Sequence, residues 1–173
     1  MLSSSKSELS NRLYLAQSLV DRLKSGVPYA PQLIALGREG LDPSLLRFAK
    51  GGAPTIDALT ARLSVRAGEL RDAHKTKSDD TWKNNLKDEI SKFVKIKPKN
   101  SSDIQGMKGV LLRAEEAISR GNLSKAILEI DSLAPSDRGV LDSWLKEAKA
   151  KQNASLAAEN LLAKTTAALR KRN

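Results

Sequence analysis

Apolar residues recur at steps of three and four along most of the chain, which is the spacing of an amphipathic α-helix. The first such run predicts a helix from about Ser7 to Lys24, with Gly26 ending it. A turn that contains two prolines then leads into a short helix through Leu33 and Leu36. The apolar stripe of the first helix comprises Leu9, Leu13, Ala16, Leu19 and Leu23.

Helix-start residues divide the middle of the chain. Asp42, followed by a proline, predicts a short helix that ends at two glycines, because Asp is a favoured N-cap and Pro suits the first helical position. Thr55 is expected to cap the next helix, which fades in the polar residues 74–77. Ser78 is expected to cap a further helix. The apolar stripe of that helix comprises Trp82, Leu86, Ile90, Phe93 and Val94.

The C-terminal part of the sequence predicts two helices packed against each other, and then one long helix. The tight turn Gly121-Asn122 separates two apolar stripes, as in an αα-hairpin. After Pro135 the helical pattern resumes and continues toward the C-terminus. A helix of that length is expected to extend beyond a small core or to pair with another chain. The hairpin stripes comprise Met107, Val110, Leu111, Ala114, Ala117 and Ile118 before the turn, and Leu123, Ala126, Ile127, Ile130 and Leu133 after it.

These patterns together predict an all-α fold, a helical bundle with an αα-hairpin followed by a long C-terminal helix. The composition agrees, because 40% apolar residues with only 3% aromatic residues describe a Leu/Ala core that suits helix packing. Three consecutive segments are expected. Residues 1–78 form an N-terminal helical segment, which could include the end of a coiled coil as well as short helices. Residues 79–100 form an amphipathic helix and a linker, and residues 101–173 form a C-terminal helical domain.

Residues suited to catalysis or metal binding are scarce. The chain has no cysteine, which excludes disulfides, thiolate metal sites and thiol catalysis. Its single histidine, His74, lies in a polar stretch and is expected to be a solvated surface residue. The segment Gly51-Gly52-Ala53-Pro54-Thr55 is not a phosphate-binding loop, because it lacks the lysine that would reach a phosphate and no strand precedes it. We therefore predict that the protein is not an enzyme, with no catalytic residue, metal or cofactor.

The charge pattern bears on the class of partner. The net charge of +10 is spread along the chain, which is typical of a solvated helical surface or of a protein with an acidic partner such as phospholipid or nucleic acid. The basic groups do not cluster on one helix and no helix-turn-helix is evident, so nucleic acid is not expected as a partner. No apolar run approaches the length of a transmembrane helix, and the first residues lack the apolar core of a signal peptide.

Residues 79–99 carry the strongest indication of a membrane partner. Aromatic and aliphatic residues occupy one face of the predicted helix and lysines supply charge, which is the composition of a helix that lies in the membrane interface. The alternative is an ordinary amphipathic helix that packs on its own domain. The residues predicted to contact lipid are Trp82, Leu86, Lys87, Lys92, Phe93 and Lys95.

Several short motifs resemble the mitofilin family, and its bacterial members in particular. They are Ala114-Glu115-Glu116-Ala117, Gly121-Asn122-Leu123, Ala126-Ile127, Leu133-Ala134-Pro135 and Trp144-Leu145, with Val27-Pro28-Tyr29, Gly52-Ala53-Pro54-Thr55 and Phe93-Val94-Lys95-Ile96 upstream. Mitofilins are inner-membrane proteins with an N-terminal transmembrane helix, a coiled coil and a C-terminal helical domain. They shape the membrane, form contact sites with the outer membrane and bind lipid through a helical region beside that domain. Similar helical pairs also occur in tetratricopeptide proteins and in inner-membrane proteins related to tetrapyrrole biosynthesis.

The resemblance implies a non-enzymatic membrane-organising scaffold on the periplasmic face of the inner membrane, with a mitofilin-like domain over residues 101–173. Its expected partners are anionic membrane lipids and other proteins, including outer-membrane proteins, and self-association to a homo-oligomer is left open. The sequence departs from the family in having no transmembrane segment. The alternative function is a soluble helical adaptor without membrane affinity. The residues predicted for partner binding or self-association are Leu161, Leu162 and Leu169.

Overall fold

The computed structural model describes residues 2–37, 40–88 and 101–171, and among these it contains helices and turns but no strand. Side chains are described for residues 6–37, 40–75 and 106–171. The elements are α1 (Leu2–Ser25), α2 (Ala30–Leu36), a 3₁₀ turn (Pro43–Leu45), α3 (Ile56–Asp88), α4 (Ser101–Ser119), α5 (Leu123–Asp131), α6 (Pro135–Arg138), a second 3₁₀ turn (Gly139–Leu141) and α7 (Asp142–Arg170). The predicted all-α class, with a long helical run at its C-terminal end, is confirmed.

The chain divides into two compact units. The terminal unit contains the residues up to Ala58 together with those from Lys146 onward, and the central unit contains Leu59–Leu145. This division differs from the three consecutive segments that the sequence predicts. The difference has a physical cause, because α1 and most of α7 contribute to one unit although more than a hundred residues separate them. Local apolar periodicity carries no information about such a long-range pairing.

The terminal unit packs around a buried tyrosine. Tyr29 is fully buried, its backbone N–H donates to the carbonyl of Ala49 at 2.8 Å, and its hydroxyl donates to the carbonyl of Leu45 at 2.9 Å. Burial raises the pKa of Tyr29 to about 12, because the phenolate would lose its hydration. The surrounding core comprises Leu19, Val20, Leu23, Leu33, Leu36, Leu45, Phe48, Ala49, Ala53, Ala154, Ala157 and Ala158.

Two glycines allow two backbone segments of the terminal unit, at residues 26 and 52–53, to approach each other closely. Gly26 and Gly52 both have positive φ, 74° and 77°, which favours glycine. A Cβ on Gly52 would overlap the carbonyl of Gly26, with 2.9 Å to its carbon, and a Cβ on Gly26 would lie 2.9 Å from the carbonyl oxygen of Ala53. Gly26 ends α1 as predicted, and the N–H of Val27 donates to the carbonyl of Arg22 at 3.0 Å, a bond that closes the helix end.

The central unit contains the predicted αα-hairpin, in which α4 packs against α5. Gly121, with φ 78°, ends α4, and its N–H donates to the carbonyl of Ile118 at 2.8 Å. The side chain of Asn122 then caps α5 by accepting from the N–H of Lys125 at 3.0 Å. A single two-residue turn therefore satisfies backbone groups of both helices. In the same unit, the indole N–H of Trp144 donates to the carbonyl of Leu59 at 2.8 Å.

The predicted break between two helices near residues 74–78 is wrong. Helix α3 runs without interruption from Ile56 to Asp88, so Ser78 lies inside it rather than at its start. The stretch lacks apolar residues, but it also lacks glycine and proline, and nothing in it stops a helix that has already formed. The predicted caps are confirmed at the other starts. The hydroxyl of Thr55 accepts from the N–H of Ala58 at 3.1 Å, and the carboxylate of Asp42 accepts from that of Ser44 at 2.9 Å.

Candidate functional site

The residues predicted to contact lipid lie at the end of α3 and beyond it. Trp82, Leu86 and Lys87 belong to the last turns of α3, whose side chains are outside the described set. Lys92, Phe93 and Lys95 lie outside the described residues altogether. For this segment the structure gives the path of the α3 backbone as far as Asp88, and with it the helix face on which each residue lies.

The register of α3 separates two apolar stripes on one helix. The first stripe, Leu59, Leu63, Ala67 and Leu70, is buried in the central unit. Trp82 and Leu86 are four residues apart and therefore share a helix face. At about 100° per residue, that face is rotated by about 120° around the helix axis from the first stripe. The second stripe therefore lies on the same helix as the first stripe but on a different face.

The leucines predicted for partner binding lie in the second half of α7. Leu161 and Leu162 are half-buried and pack against the core of the terminal unit. Leu169, near the end of α7, is also half-buried. The helical pattern did not single out Leu156, whose side chain is 50% exposed. Part of the surface of Leu161 and Leu162 is therefore already covered by their own unit.

A buried lysine is the polar group of the terminal unit that sequence reasoning missed. Lys151 lies in a polar stretch of α7, yet it is only 4% exposed. Its ammonium group donates to the carbonyl of Leu23, in the last turn of α1. The side chain thereby satisfies a carbonyl at the negative end of the α1 dipole. Burial lowers the pKa of Lys151, because the charged form loses hydration.

The prediction for His74 is wrong. Its imidazole Nε2 lies 2.9 Å from a carboxylate oxygen of Asp137 on α6, and the two side chains are 24% and 19% exposed. One helical turn earlier, Arg71 pairs with Glu115 of α4. Both contacts join elements of the central unit that are distant in sequence, so a local pattern could not reveal them. Each is a two-residue pair, and no group of three or more His, Asp or Glu suited to a metal occurs in the part of the chain that the structure describes.

A groove of about 360 Å³ lies along α1. Several of its polar groups bond within the protein, since Gln17 donates to the carboxylate of Asp21 at 3.1 Å and Arg22 donates to the carbonyl of Pro28 at 2.9 Å. The ionisable residues among those that line it are Tyr14, Asp21 and Arg22. It is lined by Tyr14, Gln17, Ser18, Asp21, Arg22, Ser25 and Val27.

Within the described residues, no helix combines the length and the apolar content that crossing a bilayer requires. No protein-family model, curated protein or solved structure matches the chain.

Proposed function

We propose that the protein is a non-enzymatic scaffold that binds anionic membrane lipid and protein partners on the periplasmic face of an inner membrane. In this role it would organise or shape the membrane and support contact sites, as the resemblance to mitofilins implies. Lipid contact is assigned to Trp82, Leu86 and Phe93, with Lys87, Lys92 and Lys95 beside them.

The observation that carries this proposal is the register of α3. A helix of 33 residues is about 50 Å long, and among its described side chains, up to Lys75, the buried stripe runs from Leu59 to Leu70. The later apolar positions, Trp82 and Leu86, lie on a different face and cannot extend the stripe that the central unit buries. An apolar helix face is stabilised when it is removed from water, and lysines beside it are stabilised by negative charge. The interface of an anionic bilayer provides both, because the acyl chains cover apolar side chains and the headgroups attract lysines.

Protein partners are assigned to α7. Leu161, Leu162 and Leu169 keep part of their surface exposed, and Leu156 adds a side chain that is half exposed. Leu162 and Leu169 are seven residues apart and therefore share a face of α7, which suits contact with a helix of another protein or of a second copy of this chain, whereas Leu156 lies on a different face. Leu161 and Leu162, which also pack against the core of the terminal unit, would contribute their exposed atoms to that surface.

Flotation of the full chain with vesicles tests the lipid assignment. We expect binding to vesicles that contain anionic phospholipid, weaker binding to neutral vesicles, and a reduction of about tenfold in the partition coefficient of the variant Trp82→Ala/Phe93→Ala. Leu128→Ala is the matched control, because Leu128 is 69% exposed on α5 and lies outside the assigned segment. Its binding should equal that of the unmodified chain.

Two outcomes would overturn the proposal in different ways. If the unmodified chain does not float with anionic vesicles, the protein is better described as a helical adaptor without membrane affinity. If it floats but Trp82→Ala/Phe93→Ala binds as well as the control, the lipid contact lies elsewhere. A salt-dependent mobility shift with duplex DNA at physiological ionic strength would instead favour nucleic-acid binding.

A further inference from the structure

We infer that a rigid turn in the terminal unit, residues 43–51, is a second lipid-contact site, with Leu46 entering the bilayer interface and Arg47 and Lys50 contacting its anionic headgroups. This inference rests on the proposed lipid binding and adds a site that the apolar periodicity did not indicate. The turn lies wholly within the described residues and far along the chain from Trp82 and Phe93.

Hydrogen bonds hold the turn in one conformation. The N–H of Leu46 donates to the carbonyl of Pro43 at 3.0 Å, and the carbonyl of Leu46 accepts from the N–H of Ala49 at 3.3 Å. The carbonyl of Ala49 also accepts from the N–H groups of Tyr29 and Ala30, at 2.8 and 2.9 Å. The turn is thus fixed to the start of α2 before any ligand binds, and little ordering of its backbone would be needed on binding.

The turn divides its apolar residues between the core and the solvent. Leu45 is 1% exposed and Phe48 8% exposed, whereas Leu46 between them is 60% exposed. The cations Arg47 and Lys50 are exposed on the same turn. The guanidinium of Arg47 lies 5.6 Å from the centre of the Phe48 ring, a cation–π contact that limits its movement. A fixed leucine is therefore presented beside two positive charges.

Charge complementarity identifies the occupant as an anionic bilayer. Residues 43–56 contain two basic residues and no acidic residue. The acid next to the turn in sequence is Asp42, whose exposed carboxylate accepts from the backbone N–H of Ser44, and that hydrogen bond lowers its pKa. Asp42 is therefore ionised, and residues 42–51 carry a net charge of +1 from two cations and one anion. Cations near anionic headgroups and an apolar side chain at the acyl boundary are the two interactions that place a segment at a membrane interface. A soluble polyanion would satisfy the cations but not Leu46.

The size of the effect follows from these two interactions. A cation at an anionic surface strengthens binding about fivefold, and a leucine that enters the interface about tenfold. We therefore expect Leu46→Ser to lower the partition coefficient for anionic vesicles about tenfold, and Arg47→Glu about fivefold or more. The matched controls are Leu128→Ser and Lys125→Glu on α5, which remove a similarly exposed leucine and the same charge from the central unit.

A second measurement reports insertion directly. The chain has no cysteine, so Leu46→Cys and Leu128→Cys each carry one environment-sensitive fluorophore. Anionic vesicles should shift the emission of the label at position 46 to the blue and leave the label at 128 unchanged. Circular dichroism of each variant verifies that the helical content is retained.

The outcomes separate this inference from the proposed function. If the unmodified chain binds anionic vesicles while Leu46→Ser and Arg47→Glu match their controls and the label at 46 does not shift, only the second site is overturned. If no vesicle binding occurs, the proposed function fails and the second site fails with it. An equal shift of the label with soluble polyglutamate would show that the turn binds acidic polymers rather than a bilayer, and would also overturn the inference.

Discussion

The terminal and central units show two different ways of building a helical core. The central unit contains a hairpin whose helices are neighbours in sequence, and one turn supplies the stop of α4 and the cap of α5. The terminal unit instead joins segments from both ends of the chain around an apolar core, with a close backbone approach at Gly26 and Gly52 and buried hydrogen bonds from Tyr29 and Lys151. The comparison teaches that the hairpin depends on local signals, whereas the terminal unit depends on contacts between distant segments, including the approach of Gly26 to Gly52, where a Cβ would overlap the backbone.

The largest effect is expected from Gly52→Ala in the terminal unit. The new Cβ would overlap the backbone of Gly26 at a positive φ, so either the turn or the end of α1 must move. We expect the free energy of unfolding to fall by about 3 kcal/mol. Urea denaturation measures the change.

Gly51→Ala is the matched control for Gly52→Ala. A Cβ at Gly51 meets nothing within 4 Å, and Gly51 is not among the glycines with positive φ. Its stability should remain within about 0.5 kcal/mol of that of the unmodified chain. Equal effects of the two substitutions would show that the close approach at Gly26 does not limit the terminal unit.

An intermediate effect is expected from Tyr29→Phe at alkaline pH. The pKa of Tyr29 is raised to about 12 in the folded protein, above the ordinary tyrosine value of 10.0. The folded state therefore holds the phenolic proton more tightly, and this contribution to stability is present below pH 10 and is lost as the pH rises toward 12. We expect the stability of the unmodified chain to fall relative to that of Tyr29→Phe across this range.

Urea unfolding of the two proteins at pH 9, 10 and 11 tests the Tyr29 prediction. Tyr14→Phe provides the control, because Tyr14 is 71% exposed. A parallel pH dependence of the unmodified chain and Tyr29→Phe would contradict the burial of an uncharged phenol in the core of the terminal unit.

The smallest effect is expected from Asn122→Ala in the hairpin turn. Loss of the side-chain cap on the N–H of Lys125 should lower the free energy of unfolding by about 1 kcal/mol. Asn122→Asp should retain most of the stability, because aspartate caps a helix about as well. If alanine and aspartate at this position were equally stable in thermal unfolding, the local cap would not be a determinant of the hairpin.

Local signals in the sequence account for much of the helical architecture. Gly26, Thr55 and the turn Gly121-Asn122 all have the roles that their residue types predict, because caps and helix ends depend on a few neighbouring residues. The predicted break near Ser78 failed for a related reason. Polar residues interrupt the apolar stripe of a helix but do not end the helix, so an interrupted stripe does not mark a helix end.

The contacts between distant segments could not be predicted from such signals. Lys151 and His74 both lie in polar stretches, yet one is buried against the end of α1 and the other pairs with Asp137. The exposure of Leu46 was equally hidden, since the pattern Leu45-Leu46 does not show which leucine faces the core. Each of these outcomes depends on which segments pack together, and that is set by the whole fold.

The buried lysine has a consequence for the chemical reactivity of the protein. An acylating reagent needs the uncharged amine and free access to its nitrogen, and the amine of Lys151 is both covered by the core and bonded to the carbonyl of Leu23. Access to Lys151 thus requires α7 to separate from the end of α1, and acylation at this position would record how often the terminal unit opens.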